Sequence, residues 1–408
     1  MTNQKPLEGL KVVELGMQVA APSACRILAD WGADVIKLEG VEKGDSFRDW
    51  TRGMSMPVEE DFDPCFDNLN ANKRAVSINS YKNPEGQGVA QRLLSNADVF
   101  ITNLREGALK GNGLDWDTLK EINPRLVMAQ LNGYGAKGAE ANRPGYDTTC
   151  FWPRSGFLYS QAFVGDYPVY IPMGTGDLIC AMSIIASVMA ALEARRSTGK
   201  GDHVVQSLYN TAIWGLSIPI VGSQWGLQFP VDRSTASPFG IMCKCKDGQW
   251  FMPQVVNFAR DHQTYYHILG LDDLIGDPIF ENRPEITKQG KIPYLVKRVE
   301  EGFLQHTSDE WVQIFNENNL AGEKLYSYAD VRNDPQALEN EFVIEKDYGD
   351  GRKAKVVRSA LRSKNSGLPE FNRGPMMGED TEEILAEIGY SKEEIEDLEN
   401  KGLVKQHE

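Results

Sequence analysis

Residues 11 to 39 alternate in a way that few folds accept. Lys11 to Leu15 reads as a short apolar strand, Ala20 to Trp31 as a helix and Ala33 to Glu39 as a second strand. A strand, helix, strand unit makes its two strands parallel, and a parallel sheet needs helices over both faces. The pattern recurs, with strands expected at Ala75 to Ile78, Asp98 to Thr102 and Leu126 to Leu131, separated by helical stretches such as Gly86 to Ser95 and Trp116 to Glu121. The expected fold class is therefore α/β, with a Rossmann-like, doubly wound parallel sheet. Leu178 to Arg196 is apolar on nearly every face and predicts a helix inside the structure or in a subunit interface, stopped by Thr198-Gly199-Lys200-Gly201.

At 408 residues the chain has room for a second domain. The texture changes near Trp225: Ile241 to Cys245, a turn at Asp247-Gly248 and Trp250 to Val255 predict a hairpin, followed by helices near Tyr265, Leu295 and Trp311. We expect a large α/β domain over 1–224, a smaller α/β domain over 225–330, and a segment over 331–408 that returns to the large domain. Two capping boxes start the C-terminal helices, at Asp380 to Glu383 and Ser391 to Glu394.

A formal net charge of -15 disfavours nucleic acid and anionic membrane as partners. Most of that excess is local, because residues 379 to 399 hold ten acids and one Lys. The longest uncharged apolar run, Leu178 to Leu192, is shorter than the roughly 18 to 20 residues of a spanning helix. The N-terminal sequence lacks the layout of a signal peptide, and a cytoplasmic location is expected. Six scattered cysteines fit reduced thiols. Cys243 and Cys245 stand two apart, as neighbours on one face of a strand do, and no second Cys/His pair has zinc spacing, so no metal is expected.

Several familiar sites are missing. There is no G-x-x-x-x-G-K-[ST] loop, and the turn Gly16-Met-Gln-Val-Ala-Ala-Pro22 lacks the glycines that admit a dinucleotide pyrophosphate. None of the five histidines sits in H-E-x-x-H or beside a G-x-S-x-G elbow. The remaining nucleophile candidate is a carboxylate, Asp177, which follows Pro172-Met-Gly-Thr-Gly176 and precedes the long apolar helix. Asp is a preferred N-cap, so the position has a structural reading. It also has a chemical one: the helix dipole would hold the carboxylate ionised, and the glycines would let a bulky acyl group approach.

The run Leu7-Glu-Gly-Leu-Lys-Val-Val-Glu-Leu15, then Ala20-Ala-Pro22, Leu28 to Glu39, Gly44-Asp45 and Arg48, resembles the opening of the class III CoA-transferases. The likeness continues through Asn70 to Arg74, Asn103 to Gly107, Gly133-Tyr-Gly135, Gly145-Tyr-Asp147, Gly176-Asp177, Ala191 to Arg195 and Gly374 to Gly378. It implies CoA transfer between carboxylic acids through covalent intermediates on one aspartate, which falls on Asp177. Acyl-CoA and small carboxylic acids would be the substrates, with no tightly bound cofactor, and the subunits would form an interlocked, ring-like homodimer.

By family position the CoA site would involve Val19, Ala20, Lys82, Asn103, Leu104, Arg105, Asn132, Gly133 and Tyr134. Lys73, Arg74 and Lys137 are phosphate partners by charge or solvated surface cations. Trp50, Phe151, Trp152 and Tyr159 are either acyl-pocket walls or core aromatics, and Ser234 to Gly240 is a candidate lid. Gly40 and Gly111 stand where formyl-CoA transferase has arginines, so the adenine and phosphate contacts would differ in part, and that enzyme's glycine-rich small-domain loop is also missing, which argues against oxalate and formyl-CoA as substrates. The same superfamily holds α-methylacyl-CoA racemases with a Gly-His-Asp motif. Here Tyr146 replaces that His, and a phenol with an ordinary pKa of about 10 is a poor substitute for an imidazole near about 6.5. Asn70 to Lys73, Ala129-Gln130 and Val205 to Trp214 look most like the transferases that load 2-hydroxy acids such as phenyllactate or 2-hydroxyisocaproate in amino-acid fermentation. A non-catalytic CoA-binding protein of the same fold is the alternative of a different class.

Overall fold

The computed structural model describes residues 5–407 except 55, 57, 60, 350, 361 and 364. Six parallel strands form its main sheet: β1 (Lys11–Leu15), β2 (Asp34–Glu39), β3 (Arg74–Ile78), β4 (Val99–Thr102), β5 (Val127–Asn132) and β6 (Asp202–Ser207). The smaller sheets contain β7 (Cys243–Lys244), β8 (Trp250–Gln254) and β9 (Ala321–Lys324), and then β10 (Val343–Gly349) and β11 (Arg352–Val357). A last short strand, β12 (Val404–Lys405), joins the main sheet antiparallel to β3.

The main sheet runs in the order β12-β3-β2-β1-β4-β5-β6. Strand order reverses between β1 and β4, and such a switch point opens a crevice at the carboxyl ends of the strands. Chain segments leaving β1, β4 and β5 therefore converge at one edge of the sheet, where the candidate site lies. The central strands read Val99-Phe-Ile-Thr102 and Val127-Met-Ala-Gln-Leu131, buried along their length as strands covered on both faces must be. Helix Ala20–Asp30 is buried at every position.

Two compact units make up the chain. One comprises residues 1–157, 170–224 and 335–408, and the other 158–169 and 225–334. The smaller unit is built on an aromatic core in which Phe251, Phe303, Trp311 and Phe315 are fully buried. Cys243 and Cys245 both enter that core as free thiols, as same-face strand residues do. The expected hairpin is present, with Ala321–Lys324 added as a third strand that its hydrophilic sequence did not announce.

Three expectations need correction. First, the long helix runs Thr175–Thr198, starting three residues earlier than its apolar run, and by length and composition it is long enough to cross a membrane. It is a helix of the α/β layer, burying Cys180, Ala181, Ile184, Ile185, Val188 and Ala191. Second, of the two placements expected for it the fully interior one fails, since in the single chain Leu178 and Ile179 are each 45% exposed and Met182 38%. Third, the Ser391–Glu394 capping box forms, but Asp380 makes no cap; its carboxylate accepts the Ala75 amide at 2.8 Å and ties the C-terminal segment to β3.

Candidate active site

The helix that carries Asp177 begins with Gly174 in the left-handed region, φ 84°, so Asp177 lies inside the first turn and is not the N-cap. Capping comes from another segment. The buried Asp147 carboxylate accepts the Gly174 amide at 2.9 Å and the Gly176 amide at 3.2 Å through Oδ2. Gly176 has no room for a side chain, because a Cβ there would stand 2.7 Å from Phe151 Cγ and 3.0 Å from Asp147 Cβ. Gly133 and Gly145 are similarly pressed together: a Cβ on Gly133 would lie 2.9 Å from the Gly145 Cα. Both glycine contacts bring the end of β5, the Gly145–Asp147 segment and the Asp177 helix into one wall.

Asp177 then faces a cavity of about 400 Å³ with Met17, Val19, Ala20, Ser46 and the residues that follow β4 and β5. Of the residues placed by resemblance, Val19, Ala20, Asn103, Leu104, Arg105, Asn132 and Gly133 line this cavity together with Asp177. Lys82 and Tyr134 do not. Lys82 has φ 55° and donates its backbone N–H to Gly111 O at 2.6 Å, while its ammonium lies over the Tyr81 ring. That ring fills the space beside Gly111, where a Cβ would stand 2.5 Å from it. The Tyr134 ring is flanked by the Arg143 and Arg154 guanidinium groups at 5.0 and 5.1 Å.

The phosphate candidates fare differently. Lys73 is buried, with its ammonium bonded to Glu14, Asn70 Oδ1 and the carbonyls of Pro22 and Leu69, and it is not available to a ligand. Arg74 is bound to Asp34, Glu383 and Glu387. Lys137 is exposed and outside the cavity wall. None of the four candidate acyl-pocket aromatics lines the cavity either. Phe151 and Trp152 pack edge to face in the interior, Trp50 stacks on Phe47, and Tyr159 belongs to the smaller unit. Ser234 to Gly240 also belongs to the smaller unit.

Gln18, Ser46, Arg143, Tyr146 and Asp147 take no site role from the sequence alone. Asp147 is readable there only as the third letter of Gly145-Tyr146-Asp147; that its carboxylate caps a helix 27 residues away is a tertiary fact. Arg143, paired with Glu140 at 2.8 Å, and Arg105 both line the cavity with Asp177.

Burial and the neighbouring Asp147 carboxylate push the Asp177 carboxyl up to about 7. The helix dipole, expected to hold it ionised, is outweighed. Among the described residues no hydrogen-bond donor lies on its carboxylate, so nothing offsets the cost of removing the charge from water. Such a carboxylate is weakly solvated, accessible from the cavity and half ionised near neutral pH. It is suited to attack on an electrophilic carbonyl.

Residues 7–381 match the model of CoA-transferase family III. Over 98% of its length the chain is 35% identical to 99% of the (R)-2-hydroxy-4-methylpentanoate CoA-transferase of Clostridioides difficile. It is 36% identical to the cinnamoyl-CoA:phenyllactate CoA-transferase of Clostridium sporogenes, with 97% of each chain covered. Among solved structures, a CAIB/BAIF family protein from Brucella suis superposes with a TM-score of 0.79 at 27% identity, covering 94% of this chain and 100% of that one. With a family model and full-length relatives on a matching fold, the chain belongs to the class III CoA-transferases.

Proposed function

We propose that the protein moves CoA from an acyl-CoA donor to a 2-hydroxy acid, with Asp177 as the residue that carries the intermediates. Supporting this reading is one observation above the others: Asp177 opens onto the same cavity as Val19, Ala20, Asn103, Leu104, Arg105, Asn132 and Gly133. In the proposed sequence an Asp177 oxygen attacks the donor thioester carbonyl and the C–S bond breaks, leaving an aspartyl mixed anhydride and CoA thiolate. The thiolate attacks Asp177 Cγ, releases the donor acid and forms an aspartyl thioester. The acceptor carboxylate then attacks Cγ and expels the thiolate, which takes the acceptor's acyl carbon and restores the carboxylate. One thioester replaces another, so no ATP is needed.

The acceptor class follows the two relatives, named for 2-hydroxy-4-methylpentanoate and phenyllactate. Arg105 and Arg143 supply the charge to hold an anionic group near Asp177. The exposed apolar face at Leu178, Ile179, Met182, Trp214 and Ile218 supports a homodimer, read as interlocked, in which a second copy covers it. A cytoplasmic role in amino-acid fermentation completes the proposal.

Incubation with an acyl-CoA and hydroxylamine, followed by peptide mass spectrometry, tests the intermediate. A hydroxamate on Asp177 is expected; an adduct elsewhere, or full activity in Asp177→Ala, overturns the assignment. A panel of 2-hydroxy, dicarboxylic and simple acids with one fixed donor tests the acceptor, and preference for an acid without a 2-hydroxyl would replace it.

A further inference from the structure

We propose that Asn103 and Asp45 are positioning residues that clamp the Met17–Gln18 turn in a strained shape at the cavity wall. Gln18 has φ 66°, in the left-handed region that side-chain-bearing residues avoid. Glycine would take that angle without strain, yet the position carries a polar side chain facing the site. Residues held in sparsely populated conformations persist where their surroundings over-determine them.

The surroundings do so here at both polar backbone atoms of Met17 and at the Gln18 amide. The Asn103 carboxamide pairs with the Met17 peptide in both directions, accepting its N–H at 3.1 Å and donating to its carbonyl at 2.7 Å. Asp45 Oδ1 accepts the Gln18 N–H at 2.8 Å and the Phe47 N–H at 3.0 Å. Its Oδ2 accepts from Lys37 Nζ at 2.9 Å, and Lys37 is itself bonded to Glu14 at 2.6 Å, all within the sheet interior. Gln18 Nε2 donates to Ser46 Oγ at 2.6 Å. A buried chain of charges thus ends on the backbone of the turn that leads into helix Ala20–Asp30. The first-turn amides of that helix have no intrahelical acceptor, and Val19 and Ala20 line the cavity beside Asp177. Asn103, placed by resemblance among the CoA contacts, has both polar atoms committed to Met17.

The clamp sets where Gln18 and these amides stand relative to the reacting carbonyl, so its loss falls on turnover. This rests on the reading of Asp177 as the reacting carboxylate. The test uses the full-length chain and compares Asn103→Ala, Asn103→Asp and Ser46→Ala with the unaltered enzyme for kcat, KM for acyl-CoA, melting temperature and the rate of hydroxamate formation on Asp177. Misplacement of reacting groups by about 1 Å costs roughly a hundredfold in rate. Asn103→Ala is therefore expected to lower kcat by roughly tenfold to a hundredfold, with KM little changed and adduct still forming slowly on Asp177. Asn103→Asp, which keeps the acceptor for the Met17 amide, should fall between. Ser46→Ala, at an exposed position, should lower kcat without moving the melting temperature, and it decides the matter if the Asn103 variants do not fold. A raised KM at constant kcat would make Asn103 a ligand contact, and unchanged kcat in Ser46→Ala would remove the clamp; either result overturns the proposal. Absence of an Asp177 adduct in the unaltered enzyme would instead overturn the reading beneath it.

Discussion

The Asp147 carboxylate sits behind the helix start that carries Asp177, bonded through one oxygen to the Gly174 and Gly176 amides at 2.9 and 3.2 Å. Two carboxylates thus share a site with opposite surroundings: Asp147 has backbone donors, and Asp177 has burial and a like charge. Pairs whose environments differ this way divide their roles.

If Asp177 is the attacking carboxylate, as proposed, it must be ionised to attack, and activity should rise with pH through about 7. Asp147→Asn keeps an oxygen for the two amides but removes the like charge. The acid limb of kcat/KM should then move to lower pH, by less than the full upward shift because burial is the larger cause. Rate profiles from about pH 5 to 9 check this, and a limb that stays in place would show that Asp147 does not act through charge.

Asp177 should also cost stability. Its folded-state pKa is raised, so the protonated form is the one folding favours; the contribution is full below the unfolded value and is lost as pH climbs through about 7. A shift from 3.8 to about 7 corresponds to roughly 4 kcal/mol at most. Asp177→Asn should therefore be inactive yet more stable than the unaltered chain at pH 8, with the gap closing toward pH 4. Urea unfolding at both values measures it; equal stability at pH 8 would contradict the buried-charge account.

Lys73→Met separates structure from binding. Removing this cation leaves buried Glu14 with Lys37 alone, and breaking a buried ion pair from one side costs roughly 3 to 5 kcal/mol. The expected phenotype is a lowered denaturation midpoint with unchanged KM for acyl-CoA in the folded fraction. A variant of full stability and raised KM would restore Lys73 as a phosphate partner.

Much of the sheet is legible because strands β1 to β5 each show their apolar run, while the strand order that creates the switch point is a tertiary fact. The site is legible only in part, for a physical reason. Position in sequence locates a residue on a strand end, but it does not say what its side chain meets. Reading Lys73 and Arg74 as phosphate partners by charge fails in this way: a cation beside a strand looks the same whether it faces solvent, Glu14 or Asp34. Asn103 lines the cavity, while its pairing with Met17 depends on two strand ends meeting across the switch point. Asp177 stands out by its glycines, and the Asp147 cap that moves it off the N-cap position lies in another segment.

Gly176→Ala tests the close packing behind Asp177. The added methyl would stand 2.7 Å from Phe151 Cγ, with the buried Asp147 on its other side. Overpacking of this kind costs roughly 1 to 3 kcal/mol, and here relief requires the helix start to move away from its cap. Both stability and kcat should fall, with the larger effect on kcat. Retention of full activity would mean that the Asp177 backbone tolerates displacement.

The uncovered face of helix Thr175–Thr198 leads to a last expectation. Leu178 and Ile179 adjoin Asp177 and are each 45% exposed, and Trp214 and Ile218 reach 80% and 83%. Isolated apolar residues at a surface are ordinary, but this many large exposed apolar side chains on successive helices are costly to leave in water. Sedimentation should give a particle of twice the 45.5 kDa chain mass. An interlocked pair would resist simple dilution, so the informative variants are Met182→Lys and Ile218→Lys, carried through unfolding and refolding. Both should reduce the yield of dimer, because a lysine on this face keeps its charge only in water. A chain that sediments as a monomer at micromolar concentration would remove the second copy and leave the apolar face unexplained.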